Sequence, residues 1–269
     1  VGVPNNFSNN RWSGIRVESR GAITLNNFLE QGNGAAGSYS GVVLINTYAN
    51  STGGISMDAN LPQPFVNQVN GNTFRGIDAQ SRFAILLGRT QVKDHSDGYG
   101  ANIDNSGAAT DQPVTVRFSE FNNNRTVGLY VQSRGQITLT NVSASGTTFS
   151  GTGARLYNQS GQGGVTVNTS GTYTNRFNYN GYYGLDILSR GAVALTNVEA
   201  RENGGINLYI DNDDAPGPRA VTLTNITTSG WSNALGDRIS STGAYIFTLG
   251  GLNITNSMFD DHTSSGLDI

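Results

Sequence analysis

Cysteine is absent from the 269 residues, lysine occurs once (Lys93), histidine twice and proline six times. Without a thiol, neither a disulfide scaffold nor a Cys-ligated metal site can form. Charge is scarce as well: Asp, Glu, Lys and Arg make up 13% of the chain, with a formal net charge of −3. Intracellular globular proteins carry about twice that share. A nucleic-acid binder needs a basic excess to neutralise phosphates, so the slightly acidic balance argues against that class. No apolar run approaches the roughly 20 residues that span a bilayer. No signal-peptide pattern opens the chain and Val1 is not an initiator Met, which points to a processed or trimmed start.

What the chain has is glycine, 36 of them, and a hydrophobic share of 36% placed with regularity. Disordered chains lack such patterning. Low charge with abundant Gly, Asn, Ser and Thr is an extracellular composition.

The chain repeats itself. The clearest copies are Gly14-Ile-Arg-Val-Glu-Ser-Arg-Gly21, Gly128-Leu-Tyr-Val-Gln-Ser-Arg-Gly135 and Gly184-Leu-Asp-Ile-Leu-Ser-Arg-Gly191, with a weaker one at Gly76. Each strong copy continues into an Ile/Val-x-Leu-x-Asn strand ending at Asn27, Asn141 or Asn197. Between them lies a second kind, at Gly100, Gly153 and Gly205, to which Gly41 and Gly243 are also assigned. With Gly266 these make ten anchor glycines, separated by about 21 to 38 residues. The two kinds alternate, giving a double-turn unit of about 57 residues whose alternation is expected to break after Gly205.

Alternate residues of a strand share a face. The first and third positions after each anchor, from Ile15 and Val17 to Leu267 and Ile269, are all apolar. Strands that recur in one sense cannot pair as hairpins, so they stack in parallel and bury each inner face on the next. The irregular spacing disfavours a left-handed hexapeptide solenoid. The expected fold is all-β, a right-handed parallel β-helix of about ten coils, forming one domain over residues 1–269. By parity, Asn27, Asn141, Asn197, Asn225 and Asn256 should point inward and stack in a ladder, with Asn197, Asn225 and Asn256 on consecutive rungs. Phe7, Phe121, Phe177 and Phe259, each seven residues before an anchor, should form an inward aromatic column. The Asn and Gly residues that follow them should supply left-handed backbone at corners.

On these blocks the chain resembles the right-handed β-helix superfamily of extracellular proteins. The Ser-Arg-Gly-x-Ile-x-Leu-x-Asn blocks resemble the tandem repeats of very large bacterial cell-surface and matrix proteins. The resemblance covers essentially the whole chain and implies a fold; it does not choose a function, since the superfamily includes pectin-cleaving enzymes, phage tailspikes, adhesins and structural fibres.

Outward residues are where chemistry would sit. Two positions after the anchors stand Tyr130, Arg155, Asp186, Asn207 and Tyr245, and four positions after stand Tyr157, Leu188, Tyr209 and Phe247. Arg155 and Asp186 should form an exposed ion pair. The run Tyr157, Leu188, Tyr209 and Phe247 should form an outward apolar strip for a sugar or a partner protein. Glycoside hydrolysis needs two nearby carboxylates, and Asp186 has no acidic neighbour in its column. The Asn-Thr-Asp, Asp-Asp and His-Gly blocks of polygalacturonase-type sequences are missing in register. Asp211, Asp213 and Asp214 could offer three oxygen ligands to Ca²⁺, against the simpler reading of an acidic solvated turn. His95 and His262 lie in polar loops, with no partner that would make a nucleophile–base pair.

Three functions compete. The first is a non-catalytic structural segment of an extracellular or cell-surface fibre, needing no cofactor. The second is a carbohydrate-binding adhesin using Tyr130, Arg155, Tyr157, Asp186, Leu188, Tyr209, Tyr245 and Phe247. The third is a polysaccharide lyase or hydrolase. Neither end shows a cap. Val1-Gly-Val3 before Phe7 matches Val114-Thr-Val116 before Phe121, and Gly266-Leu-Asp-Ile269 stops inside a strand. The expected partners are therefore copies stacked head to tail, or neighbouring repeats of a longer chain.

Overall fold

The computed structural model describes residues 4–58, 67–148, 150–230 and 242–269, and every regular element among them is a β-strand. All the strand pairs are parallel and fall into two long sheets, one of ten strands and one of fifteen, consistent with a parallel β-helix. The expected resemblance of Val1-Gly-Val3 to a second strand lies outside the described residues.

The ten-stranded sheet takes one strand from beside each anchor, in sequence order from Ile15–Glu18 to Leu267–Asp268. Sixteen of the twenty apolar residues predicted to face inward are buried; Val17, Ile206, Leu267 and Ile269 are not. Val17 and Leu267 sit on the first and last strands and Ile269 follows the last one, where fewer neighbours cover them. Ile206 has a different cause. Leu185 pairs with Leu208 and Asp186 with Tyr209, so Asn207, not Gly205, stands opposite Gly184. The chain runs two residues further before entering that strand. A shift of two leaves parity untouched, which is why alternation alone could not detect it.

Between the sheets the interior is built in columns. One runs Phe121, Ala144, Phe177, Ala200, with Thr228 and Phe259 beyond, so each ring sits against small neighbours. Rungs lie about 4.8 Å apart, too close for a ring on every one without overpacking. Phe121 and Phe177 are fully buried, as the inward aromatic column requires, and Phe7 and Phe259 pack partly against the core.

The corner that follows this column has left-handed backbone at Asn9, Gly32, Gly71, Asp94, Asn123, Gly146, Tyr179, Glu202 and Asp261. The next residue turns inward and forms the chain's main polar ladder. Backbone N–H groups of Asn10, Asn33, Asn72, Thr147 and Asn180 donate to the side chains of Asn33, Asn72, His95, Asn180 and Asn203 at 2.6–3.1 Å. These bonds satisfy amides that no strand can reach. The anchor glycines are the other half of this device. A Cβ on Gly100 would lie 2.5 Å from Asn124 Nδ2, and one on Gly153 would lie 2.6 Å from Asn180 Nδ2. Asn207, the one anchor with a side chain, accepts from Asn203 Nδ2 at 2.7 Å and carries the ladder onward to Ser229 O at 3.0 Å.

The ladder is therefore not where strand parity placed it. Asn27, Asn141, Asn197, Asn225 and Asn256 all have positive φ, between 49° and 55°. Parity ends where the backbone turns left-handed. Asn141 is buried, Asn27 and Asn197 are half-buried, and Asn225 and Asn256 are exposed. A short outer chain of amides survives: Asn225 donates to Asn197 at 2.8 Å, and Asn197 to Thr169 at 2.7 Å.

The other corner explains the alternation. On successive rungs the ten-stranded sheet ends in Ser19, Asn46, Ser81, Asn105, Ser133, Asn158, Ser189 and Asn212. In the tight corners a serine Oγ accepts the N–H two residues on, at 3.0 Å in Gly21 and Phe83 and 3.1 Å in Gly191. In the wide corners an asparagine amide bridges the loop: Asn105 reaches Gln112 O at 2.8 Å and Asn212 reaches Arg219 O at 3.1 Å. Thr248 accepts Gly250 N–H at 3.0 Å in the serine manner. The Gly243 strand thus ends in a tight corner, and the alternation does not break after Gly205.

Ile187 is fully buried, whereas Arg16 is exposed and paired with Glu18. Ile187→Asp should lower the melting temperature steeply or prevent folding, because an unpaired charge would enter a dry stack. Arg16→Ala should leave the melt nearly unchanged. Equal losses in thermal denaturation would overturn the strand assignment.

Candidate functional site

The outward face of the ten-stranded sheet carries the residues singled out for binding, in an order corrected by the two-residue shift. One column reads Tyr130, Arg155, Asp186, Tyr209, Tyr245, Asp268. The next reads Gln132, Tyr157, Leu188, Asp211, Phe247. The expected strip of Tyr157, Leu188, Tyr209 and Phe247 is therefore broken: Asp211 stands between Leu188 and Phe247, and Tyr209 belongs to the adjacent column.

The aromatic rings form two groups. Tyr99, Tyr130 and Tyr157 meet edge to face, with ring centres 5.5 Å apart in each pair. Tyr183, Tyr209 and Tyr245 stack along the rungs, with centres at 5.7 and 6.1 Å and planes within 28°. Rings stacked in this way turn their faces to one another and their hydroxyl edges outward. Phe247 stands at 89° to Tyr245, and it and Tyr182 remain exposed. Much of the aromatic surface is thus spent on sheet cohesion, about 0.5–1.5 kcal/mol per pair.

Asp186 divides the two groups. Its side chain is 5% exposed, so the ion pair with Arg155 Nε at 3.4 Å is not the surface pair anticipated from the sequence. Tyr157 Oη donates to the same carboxylate oxygen at 2.7 Å. Burial raises the Asp186 pKa, opposed by the Tyr157 hydrogen bond and the Arg155 charge. Burial and then the Asp186 charge hold the Tyr157 hydroxyl well above the ordinary tyrosine value. Asp186 is thus turned toward its own sheet, held by the Tyr157 hydroxyl and the Arg155 charge.

The acidic turn serves itself. Asp213 N–H donates to Asp211 Oδ1 at 3.2 Å, which favours the anion, but burial and then a hydrogen bond with the Asp213 side chain push the Asp211 pKa up to about 6. Among the described residues no group of three or more His, Asp or Glu side chains gathers as a metal site would require, Asp211, Asp213 and Asp214 included.

Sequence reasoning misplaced both histidines. His95 and His262 are buried, in the position that Asn33, Asn72, Asn124, Asn180 and Asn203 hold on other rungs. His95 Nδ1 accepts Asn72 N–H at 3.0 Å, and burial lowers its pKa to about 4, so the ring is neutral. His262 Nε2 lies 3.1 Å from Thr228 Oγ1. The signal was present: like Asn72 and Asn124, His262 falls four residues before its anchor, and His95 falls five.

Glu30 was missed altogether. It occupies the inward column between Phe7 and Val69 and is fully buried. Asn33 Nδ2 donates to one carboxylate oxygen and Asn72 Nδ2 to the other, the latter at 2.7 Å. Burial outweighs both bonds and pushes its pKa up to about 7. Two shallow clefts of about 370 Å³ flank the face. One is lined by Phe74, Arg75, Tyr99, Val127 and Arg155, and the other by Thr47, Gln80, Arg82, Asp104 and Ser106.

No protein-family model, no curated protein and no solved structure matches this chain.

Because the folded pKa of Glu30 is raised from 4.5 to about 7, its contribution is fully present below about pH 4.5 and is lost as pH rises through about 7. The change is roughly 3 kcal/mol at most. Glu30→Gln should therefore gain on the wild type between pH 5 and 8 in denaturant titrations. A stability difference independent of pH would contradict the burial of this carboxyl.

Proposed function

We propose that this chain is a non-catalytic structural segment of an extracellular or cell-surface β-helical fibre. In this reading it is a right-handed parallel β-helix of about ten coils on a double-turn unit of about 57 residues. One observation carries the reading: the side chains that chemistry would need are committed to neighbouring rungs. Asp186 is taken by Tyr157 and Arg155, Glu30 by Asn33 and Asn72, and His95 by Asn72. A general acid or base must reach a proton on its substrate, and these groups face the interior or their own sheet. The low charge with abundant Gly, Asn, Ser and Thr fits an extracellular setting.

A second reading, a carbohydrate-binding adhesin, is favoured by the exposed rings of Tyr182 and Phe247 at the edges of the stacked tyrosines. Electron microscopy of native material should show fibres or surface appendages. Incubation with neutral and acidic polysaccharides should release neither reducing ends nor unsaturated sugars; either product would overturn the structural reading in favour of a hydrolase or lyase.

A further inference from the structure

The tight corners read Ser-Arg four times: Ser19-Arg20, Ser81-Arg82, Ser133-Arg134 and Ser189-Arg190. In three of the four the serine Oγ accepts the N–H two residues on, and in the fourth Ser133 Oγ donates to Gln112 O; among the described residues no turn bond of this kind involves the arginine side chain. Its contacts differ from copy to copy. Arg20 lies 5.8 Å from the centre of the Tyr48 ring, and Arg134 donates to Ala108 O at 3.1 Å and pairs with Asp111 at 3.5 Å. Arg82 and Arg190 form no ion pair among the described residues. In a chain with only 16 basic residues, four of them hold one repeated corner position. No intramolecular contact common to the four explains that placement.

The register lines them up. Asn46 pairs with Ser81 and Asn158 with Ser189, so the corner column reads Arg20, Thr47, Arg82, Ser106, Arg134, Gln159, Arg190, Asp213. Parallel strands lie about 4.8 Å apart, which sets the backbone positions of the four arginines about 10 Å apart along the sheet. Neutral hydrogen-bonding side chains stand between the first four cations. The cleft of about 370 Å³ at Arg82, shared with Thr47, Asp104 and Ser106, opens on this column. Its one carboxylate, Asp104, accepts from the Ser106 backbone N–H and hydroxyl at 2.8 and 2.7 Å. The row stops where Leu249 takes the arginine position.

We propose that Arg20, Arg82, Arg134 and Arg190 form a row that holds a linear acidic polysaccharide along the length of the sheet, one carboxylate to each guanidinium. The step of the row is that of a disaccharide, so a glycan charged once per disaccharide can meet every arginine while Thr47, Ser106 and Gln159 face its uncharged sugars. Arginine forks suit carboxylates in two-pronged pairs. A nucleic acid carries a phosphate on every nucleotide, denser than this row can neutralise.

The test is binding of a hyaluronan decasaccharide, which carries one carboxylate per disaccharide, measured by calorimetry at several salt concentrations. The wild type should bind, with affinity falling as salt rises. Arg82→Ala with Arg190→Ala should weaken binding at least about tenfold and flatten the salt dependence. Arg82→Lys with Arg190→Lys should keep the salt dependence, because the charge remains, but bind more weakly than wild type, because the two-pronged pairing is lost. Arg11→Ala, an exposed arginine outside the row, should change nothing. Melting curves matched to wild type show that the variants fold. No binding by the wild type, wild-type affinity in the double alanine variant, or tighter binding of oligothymidylate than of hyaluronan would each overturn the proposal. All three results leave the structural reading of the chain standing.

Discussion

A stack of parallel strands solves its own hydrogen bonding only along the strands. At every corner the backbone leaves the ladder, still buried, and its N–H groups need acceptors. That constraint organises the rest of this molecule. It is met by side-chain acceptors from the next rung, the amide oxygens of Asn33, Asn72, Asn180 and Asn203 and the ring Nδ1 of His95, which act as backbone surrogates. An unsatisfied buried amide costs about 1–3 kcal/mol, and the corner recurs on every rung. The ladder is therefore a condition of stacking and not an ornament of it.

Two further features follow from it. The amide nitrogens of the ladder press on the start of the next strand, which leaves room for glycine and little else at Gly100 and Gly153. The backbone oxygen of the next anchor would be equally close to such a Cβ, Gly128 O at Gly100 and Gly184 O at Gly153, each at 2.5 Å, so the repeated Gly-x-apolar motif records close backbone packing together with the ladder. At the opposite corner, a serine closes a two-residue turn and an asparagine bridges a longer one. Their alternation sets the two kinds of repeat. The loops differ in length, and the strands they join stay in register.

The strands were legible because a period of two with Ile, Val and Leu on one face has few other solutions. The inward phenylalanines were legible for the same reason. Alternation failed in two places for physical causes. It cannot distinguish a strand from itself displaced by two, so Gly205 was taken for the anchor that Asn207 occupies. It also stops at a positive φ, so Asn197 and Asn225 were placed inside when they sit on a bend. Asp186 was found as an outward residue, but its burial depends on Tyr157 and Arg155 from the preceding strand. Glu30 gave the least signal, because a lone carboxylate in a column of Phe, Val and Ala reads as an exception until its two amide partners are seen.

A scaffold of this kind leaves its outer corners free to vary, and the proposed binding row sits at the Ser-Arg corners, where the arginine contacts differ from copy to copy. The account rests on the ladder. Amide hydrogen exchange followed residue by residue by NMR tests it most directly. The backbone N–H groups of Asn33, Thr147 and Asn180 donate to side-chain amide oxygens, and that of Asn72 donates to His95 Nδ1. They should exchange as slowly as strand amides such as those of Leu139 and Ile187. Exchange at the rate of an open turn such as that around Gly217 would contradict the ladder and the account built on it.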